Sequence, residues 1–128
     1  MKLSILALCT LLACICLPDS ASAANPQHVK RLLDTNECRG CNLRGANLSR
    51  AYLKDADLRD ALLADANLQG ADLSGAKLHR ADISNTNLSG ASLVGADLQG
   101  ASLVDSDLTG TDLRQAQLTF VTLIRANL

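Results

Sequence analysis

The sequence predicts an all-β solenoid, in which the chain coils repeatedly around one narrow apolar core. Leucine recurs at every fifth residue from Leu43 to Leu128, with Ile83 as the one substitution, which makes eighteen repeats. A five-residue period suits neither an α-helix nor a flat strand, because in both the leucines would point to different sides. They share one core only if the chain turns a corner once per repeat, and stacked coils of this kind form a solenoid.

Two further positions of the five-residue motif favour this fold; the residues at one such position, taken over all repeats, are called a column. The residue two positions before each leucine is small, most often alanine, and all glycines of the repeats lie two positions after it. A small inward side chain fits a narrow interior, and glycine suits a tight corner. The inward ladder is therefore predicted to consist of Leu43, Leu48, Leu53, Leu58, Leu63, Leu68, Leu73, Leu78, Ile83, Leu88, Leu93, Leu98, Leu103, Leu108, Leu113, Leu118 and Leu123.

The repeated motif Ala-(Asp/Asn)-Leu-x-x, as in Ala46-Asn47-Leu48 and Ala96-Asp97-Leu98, strongly resembles the pentapeptide-repeat proteins. The resemblance covers Cys41 to Leu128. It implies a right-handed quadrilateral β-helix with four repeats per coil, the leucine and the preceding small residue facing inward. It also implies two modes of association: some members resemble duplex DNA and bind DNA gyrase, and some pair end to end.

The segment 1–23 is predicted to be a secretory signal peptide. Lys2 precedes an apolar stretch over 3–17, and Ala21-Ser22-Ala23 has the form of a cleavage signal. The apolar stretch is shorter than the roughly 20 residues that a membrane span needs. Two alternatives stay open, a lipoprotein whose Cys14 is lipidated after cleavage and an uncleaved apolar tail. Cleavage after Ala23 would place a chain without a membrane span in the periplasm, the thylakoid lumen or the extracellular space.

Residues 24–38 are predicted to form a short capping helix and a linker before the repeat region, residues 39–128. Asn25 suits the N-cap position, and Pro26 suits the first helical position. The helix would cover the open apolar end of the first coil. Its apolar face is expected to contain Val29, Leu32 and Leu33.

Cys38 and Cys41 form a C-x-x-C motif where the repeats begin. Zinc needs about four ligands, and the cleaved chain offers only these thiols and two histidines distant in sequence. The strand-helix context of a thioredoxin-like redox pair is missing. In an oxidising compartment a local disulfide is expected, with two free thiols as the alternative.

The outward side chains predict a protein contact surface. A partly aliphatic side of the coil, together with one neighbouring aromatic residue, supplies the candidate contact residues, which are Leu62, Val104, Phe120 and Ile124. The irregular, apolar last coil is expected to support a homodimer. A stacked row of Asn47, Asn67, Asn87, Asp107 and Asn127 is expected to form a ladder of amide hydrogen bonds.

Charge and motif content argue against several function classes. The net charge is −1, which does not favour direct binding of nucleic acid. Asp55, Asp57, Asp60 and Asp65 are all expected to face solvent, where no pKa would be tuned for catalysis, so no catalytic residue, metal or cofactor is predicted. The sequence favours a non-enzymatic exported scaffold that binds an unknown protein partner. The alternatives are a DNA mimic that binds a topoisomerase and a lipid-anchored envelope protein.

Overall fold

The structure is a computed structural model that describes residues 23–128, which form one helix followed by a four-sided coil. The predicted signal peptide up to residue 22, including the lipidation site at Cys14, lies outside the described residues. Among residues 23–128, no helix has both the length and the apolar character that crossing a membrane requires.

Helix α1 spans Pro26–Thr35, within the segment for which a capping helix is predicted. The side chain of Asn25 accepts a hydrogen bond from the Gln27 N–H at 2.9 Å, which satisfies one free donor of the first turn. The helix ends at Asn36, which takes a left-handed conformation with φ of 57°. Leu32 is fully buried and Val29 is partly buried against the core. Leu33, which was predicted to share their face, is 54% exposed because it lies at the outer edge of that face.

From Glu37 onward, residues twenty positions apart pair as isolated parallel bridges. On one side, Asn47 pairs with Asn67 and Asn67 with Asn87. Because each repeat has five residues, a register of twenty gives four repeats, and therefore four sides, per coil. Each side contributes a single bridged residue per coil, so the described residues hold isolated bridges and one α-helix rather than continuous strands. The structure thus gives the four-sided coil that the resemblance implies without confirming an all-β class.

The corners of the coil share one backbone conformation. All eighteen corner residues, at every fifth position from Gly40 to Arg125, have φ between 53° and 70°. Eight of them are glycine, and five of the other ten are Asp or Asn, the residue types that tolerate this left-handed region best. The glycine column, which predicts tight corners, therefore marks a left-handed conformation that the corner of every repeat adopts.

The inward ladder is buried from Leu43 to Leu108, where each of its side chains is at most 2% exposed. The last three predicted members differ: Leu113 is half-buried, Leu118 is 40% exposed and Leu123 is 39% exposed. In the described structure these three contact a neighbouring coil on one side only. Equal spacing in sequence therefore does not give equal burial.

The column of leucines continues backward to a cysteine. Cys38 lies five residues before Leu43, is fully buried, and belongs to the same core as the leucines. Cys41 lies in the column of small residues and is 2% exposed. The five-residue spacing could have predicted that Cys38 is buried in the leucine column. The predicted ladder begins at Leu43 because the side chain of Cys38 is not leucine.

Candidate protein-binding surface

The aliphatic contact residues lie on one side of the coil, as their spacing requires. Leu62 pairs with Asp82 and Asp82 with Ser102 on this side. Val104 and Ile124 each lie two residues beyond a bridged position of the same side, one coil apart. Phe120 occupies the corner that leads into this side at the last coil. The repeat therefore brings four residues that are far apart in sequence onto one strip, which we call the aliphatic strip: Leu62, Val104, Phe120 and Ile124.

The two ends of the aliphatic strip differ in accessibility. At the N-terminal end Leu62 is half-buried. The side chain of Arg44, on the coil before Leu62, extends past Leu62 to the coil after it, where its Nη2 lies 3.8 Å from Oδ2 of Asp82. At the C-terminal end Ile124 is 59% exposed and Phe120 is 89% exposed. A protein partner would therefore meet apolar surface at the C-terminal end of the strip.

Phe120 is the only aromatic residue among the eighteen corners, and its φ is 59°. A bulky side chain in the left-handed region is unusual, because Cβ approaches the following carbonyl oxygen at a cost of about 1–2 kcal/mol. An exposed aromatic ring recovers none of that cost by burial within this chain. Backbone strain that persists together with exposed apolar surface favours a functional role for the residue.

Replacing Phe120 by glycine is expected to raise the free energy of unfolding by about 0.5–1 kcal/mol. Relief of the left-handed strain exceeds the extra backbone entropy that glycine gains in the unfolded chain. Urea denaturation of the two proteins measures the difference. Tyr52→Gly is the matched control, because Tyr52 is also an exposed aromatic residue (68%) but lies at a bridged position rather than at a corner. That control should destabilise, and a loss of stability in both variants would contradict the strain at Phe120.

The predicted ladder of hydrogen bonds along the asparagine row forms in only one of its four rungs. Oδ1 of Asn67 accepts the backbone N–H of Gln69 at 3.0 Å, and Oδ1 of Asn87 accepts the N–H of Ser89 at 3.0 Å. As in Asx turns, each side chain accepts the backbone N–H two residues further along its own repeat and makes no hydrogen bond to the next coil. One rung, Asn127 Nδ2 to Oδ1 of Asp107 at 3.4 Å, runs between coils.

Three of the five acidic residues between Ala81 and Leu113 form ion pairs with arginines from outside this segment. Asp105 bonds Arg125, twenty residues on, at 2.7 Å between Nη2 and Oδ2, and Asp112 bonds Arg114 at 2.6 Å. Asp82 faces Arg44, with Oδ2 and Nη2 3.8 Å apart. The backbone of Asp97 is bridged to that of Lys77, which places a lysine on the neighbouring coil. A sequence segment without a single Lys or Arg thus folds into a surface of mixed charge. This arrangement does not favour a continuous anionic face of the kind that a DNA mimic presents.

Arginine side chains lower the pKa values of several aspartates on the surface. A hydrogen bond from Arg59 is the main cause that lowers the pKa of Asp57 to about 2. Asp60 accepts hydrogen bonds from Arg80, at 2.9 Å, and from Arg39, at 3.3 Å, and its pKa is also lowered. These carboxylates serve charge pairing along the outside of the coil. Asp55 and Asp65, which the sequence placed in solvent with them, are exposed.

Acidification is expected to destabilise the protein between about pH 4 and pH 2. Asp57 has a lower pKa in the folded chain than in the unfolded chain, so its contribution is complete above the unfolded value and is lost as pH falls toward about 2. With 21% of its side chain exposed, we expect the contribution to be about 1–2 kcal/mol. Urea denaturation at pH 5, 3 and 2 measures it. Asp57→Asn and Arg59→Gln should each remove the same part of the pH dependence, and an unchanged profile in both would contradict this.

The histidines and cysteines lie in two separate places. His28 lies in α1, and its Nδ1 accepts the Asn42 backbone N–H at 3.0 Å, so it is close to Cys41 in space although distant in sequence. His79 is half-buried on an outward column between Arg59 and Gln99. In residues 23–128 no group of three or more His, Cys, Asp or Glu side chains is arranged to hold a metal ion.

Comparison with known proteins identifies the repeat. The family model described as pentapeptide repeats matches residues 37–63, 56–93 and 91–128, with 8 copies. Among solved structures, the chain is similar to the pentapeptide repeat protein Rfr23 from the cyanobacterium Cyanothece 51142. The two are 30% identical over 79% of this chain and 97% of that chain, with a TM-score of 0.56. A search of curated protein sequences found no match.

Two further similarities come from different settings. A pentapeptide repeat protein from the thylakoid lumen of Arabidopsis thaliana is 31% identical over 65% of this chain and 61% of that chain, with a TM-score of 0.49. QnrB1, a plasmid-mediated fluoroquinolone resistance protein, is 25% identical over 62% of this chain and 58% of that chain, with a TM-score of 0.24. The chain therefore spans about three fifths of the length of either protein. Pentapeptide-repeat neighbours imply a right-handed quadrilateral β-helix.

Proposed function

The chain belongs to the pentapeptide-repeat family, and from that membership we propose that it acts as a non-enzymatic, exported scaffold with a protein-binding surface. The binding surface is the C-terminal end of the aliphatic strip, centred on Phe120 and Ile124. The coil behind it is held at every side by backbone hydrogen bonds, such as Leu103 N–H to Thr122 C=O at 2.8 Å. A rigid support of this kind keeps the entropy cost of binding low.

The observation that carries the proposal is Phe120. Its ring is 89% exposed on a left-handed corner, a position where the repeat otherwise has mainly Gly, Asp or Asn. Aromatic residues are the commonest anchors of protein interfaces, because they bury a large area at a small cost in rotamer entropy. Ile124 follows four residues later on the adjoining side and extends the apolar surface.

Site-specific photo-crosslinking tests the surface. A benzophenone amino acid in place of Phe120 should give one discrete covalent adduct in cells, whereas the same probe in place of Tyr52 should give none. Tyr52 is a suitable control because it is also an exposed aromatic residue, on a different side of the coil. Equal labelling at both positions, or no adduct at Phe120, would refute a binding surface at this place.

A second copy of this chain is one candidate partner. Leu118 and Leu123 of the last described coil are 40% and 39% exposed, which continues the apolar surface from Phe120 onto the coil end. The mass of the crosslinked adduct distinguishes the two cases. An adduct of twice the chain mass identifies a homodimer, and any other mass identifies a different protein.

Export is proposed from the apolar segment 3–17 with its cleavage signal, and the thylakoid-lumen protein of Arabidopsis is a similar chain with that location. Within this proposal, Cys38 and Cys41 are joined by a disulfide, with their Cα atoms 5.2 Å apart. Fractionation and intact mass after expression in a bacterium test both points. A soluble envelope species that starts at Ala24 and lacks two hydrogens is expected.

Other outcomes of that fractionation would contradict the proposal in different ways. A membrane-bound species beginning at lipidated Cys14 would make the chain an anchored envelope protein. An uncleaved chain in the cytoplasm would overturn export and favour the gyrase-binding alternative. Inhibition of DNA supercoiling by the purified chain would then test that alternative.

A further inference from the structure

The two cysteines of the C-x-x-C motif are enclosed within the first coil. Cys38 is fully buried in the leucine column and Cys41 is 2% exposed in the column of small residues. Attack on a disulfide requires a thiolate to reach one of its sulfurs, so burial of both sulfurs blocks the reaction in the closed structure. Reduction of this bond therefore needs a local opening.

Helix α1 is the element that covers the pair. Sγ of Cys38 lies 3.2 Å from the backbone oxygen of His28, in the first half of the helix. Leu32, on the same helix, is fully buried in the core cluster that contains both cysteines. The helix is therefore the lid over the sulfurs, and the coil beneath it forms the rest of the enclosure.

The lid is attached to the coil by hydrogen bonds around Asn42. The Asn25 N–H donates to the Asn42 C=O at 3.0 Å, and the Asn42 N–H donates to Nδ1 of His28 at 3.0 Å. In later coils the equivalent atoms pair with the preceding coil, as the Leu62 N–H does with the Cys41 C=O. The Asn25 N–H and the His28 Nδ1 thus supply the hydrogen bonds to Asn42 that a preceding coil would otherwise supply. These two bonds hold the lid closed.

We propose that Cys38 and Cys41 are a gated redox site, whose disulfide is reduced by a dithiol reductant only when α1 lifts from the first coil. The inference rests on the proposed disulfide. A thiolate of the reductant attacks one sulfur, the Cys38–Cys41 bond breaks, and a mixed disulfide forms. The second thiol of the reductant resolves it, so that the reductant leaves as a disulfide and each cysteine gains one proton.

The kinetics of reduction test the gate. The oxidised chain recovered from the envelope fraction is treated with dithiothreitol at increasing concentration, and free thiols are trapped with iodoacetamide and counted by intact mass. Cleavage of the signal peptide removes the other three of the five cysteines, so each added label reports this pair. For the wild type, the rate should level off at high dithiothreitol because opening of the lid becomes limiting.

Two histidine variants separate the lid from the rest of the chain. His28→Ala removes one bond of the lid and should speed reduction about three- to tenfold at low dithiothreitol. His79→Ala, the matched control, changes the other histidine, on the outside of the coil, and should leave the rate unchanged. Leu32→Ala, which removes the buried side chain of the lid, should speed reduction further. These rates are compared with hydrogen exchange of α1, which should increase in the same order.

Two results would overturn the gate. The first is a rate linear in dithiothreitol throughout and equal in the wild type, His28→Ala and Leu32→Ala, because the sulfurs would then be reached without movement of α1. The second is a chain that already carries two thiols on isolation, which overturns the disulfide as well. Neither result affects the crosslinking test at Phe120, so failure of the gate and failure of the proposed scaffold function are distinguishable.

Discussion

Replacing Leu88 by alanine is expected to lower the free energy of unfolding by about 2–5 kcal/mol. Leu88 is 1% exposed, and in its column Leu68 and Leu108 lie one coil away on either side. The backbone bridges of Asn87 to Asn67 and to Asp107 fix the distance between these coils. The neighbouring leucines therefore cannot collapse into the space, and most of the cavity remains.

The repeat provides its own control for this prediction. Leu118 occupies the same position of the motif but is 40% exposed, so Leu118→Ala leaves a smaller cavity and should cost no more than about 1–2 kcal/mol. Ser89→Ala, next to Leu88 on the outside, removes only the hydrogen bond from its hydroxyl to Oδ1 of Asn87 and should cost no more than about 1 kcal/mol. Urea denaturation compares the three variants. Equal losses in all three would show that the inward column is assigned to the wrong residues.

The five-residue period predicts the inward columns because only a chain that turns once per repeat can bury every leucine. The same period does not specify how many corners make one coil, since three, four or five sides would all keep the leucines inside. The number of sides came from the resemblance, and the pairing of Asn47 with Asn67 agrees with it. The corner conformation was also predictable, because a glycine column at one position of a repeat marks a left-handed residue.

Features that depend on which coils are neighbours could not be predicted from the motif. The partial exposure of Leu113, Leu118 and Leu123 follows from their having a neighbouring coil on one side in the described structure. The pairing of Arg44 with Asp82, which crosses the coil of Leu62, requires the four-sided register to be known first.

The candidate sites were predicted with uneven success for chemical reasons. Phe120 was placed outside correctly, and the structure adds that it occupies a left-handed corner with φ of 59°. The asparagine row was misread because an Asx side chain finds its nearest donor within its own turn before it meets the next coil. The contact of His28 with Asn42 joins the cap to the first coil, and no spacing rule within the repeats extends to the cap.

Replacing Ala76 by leucine is expected to lower the free energy of unfolding by about 1–3 kcal/mol. Ala76 is fully buried in a column where Ala56 and Ala96, equally buried, lie one coil away on either side. Three added carbons have no space between those coils, and the twenty-residue bridge of Lys77 to Asp57 and Asp97 resists separation of the coils. The side chain must take a strained rotamer or break backbone hydrogen bonds such as Lys77 N–H to Ala56 C=O, at 2.8 Å.

Ala116 is the matched control, since it lies in the same column as Ala76, two coils further on, and is only half-buried. In the described structure a leucine at Ala116 has one free side to occupy, so Ala116→Leu should be close to neutral. Urea denaturation of both variants decides the matter. If Ala76→Leu were also neutral, the interior would have room for two large side chains per repeat. The small residue would then be a preference of the turn rather than a requirement of the core.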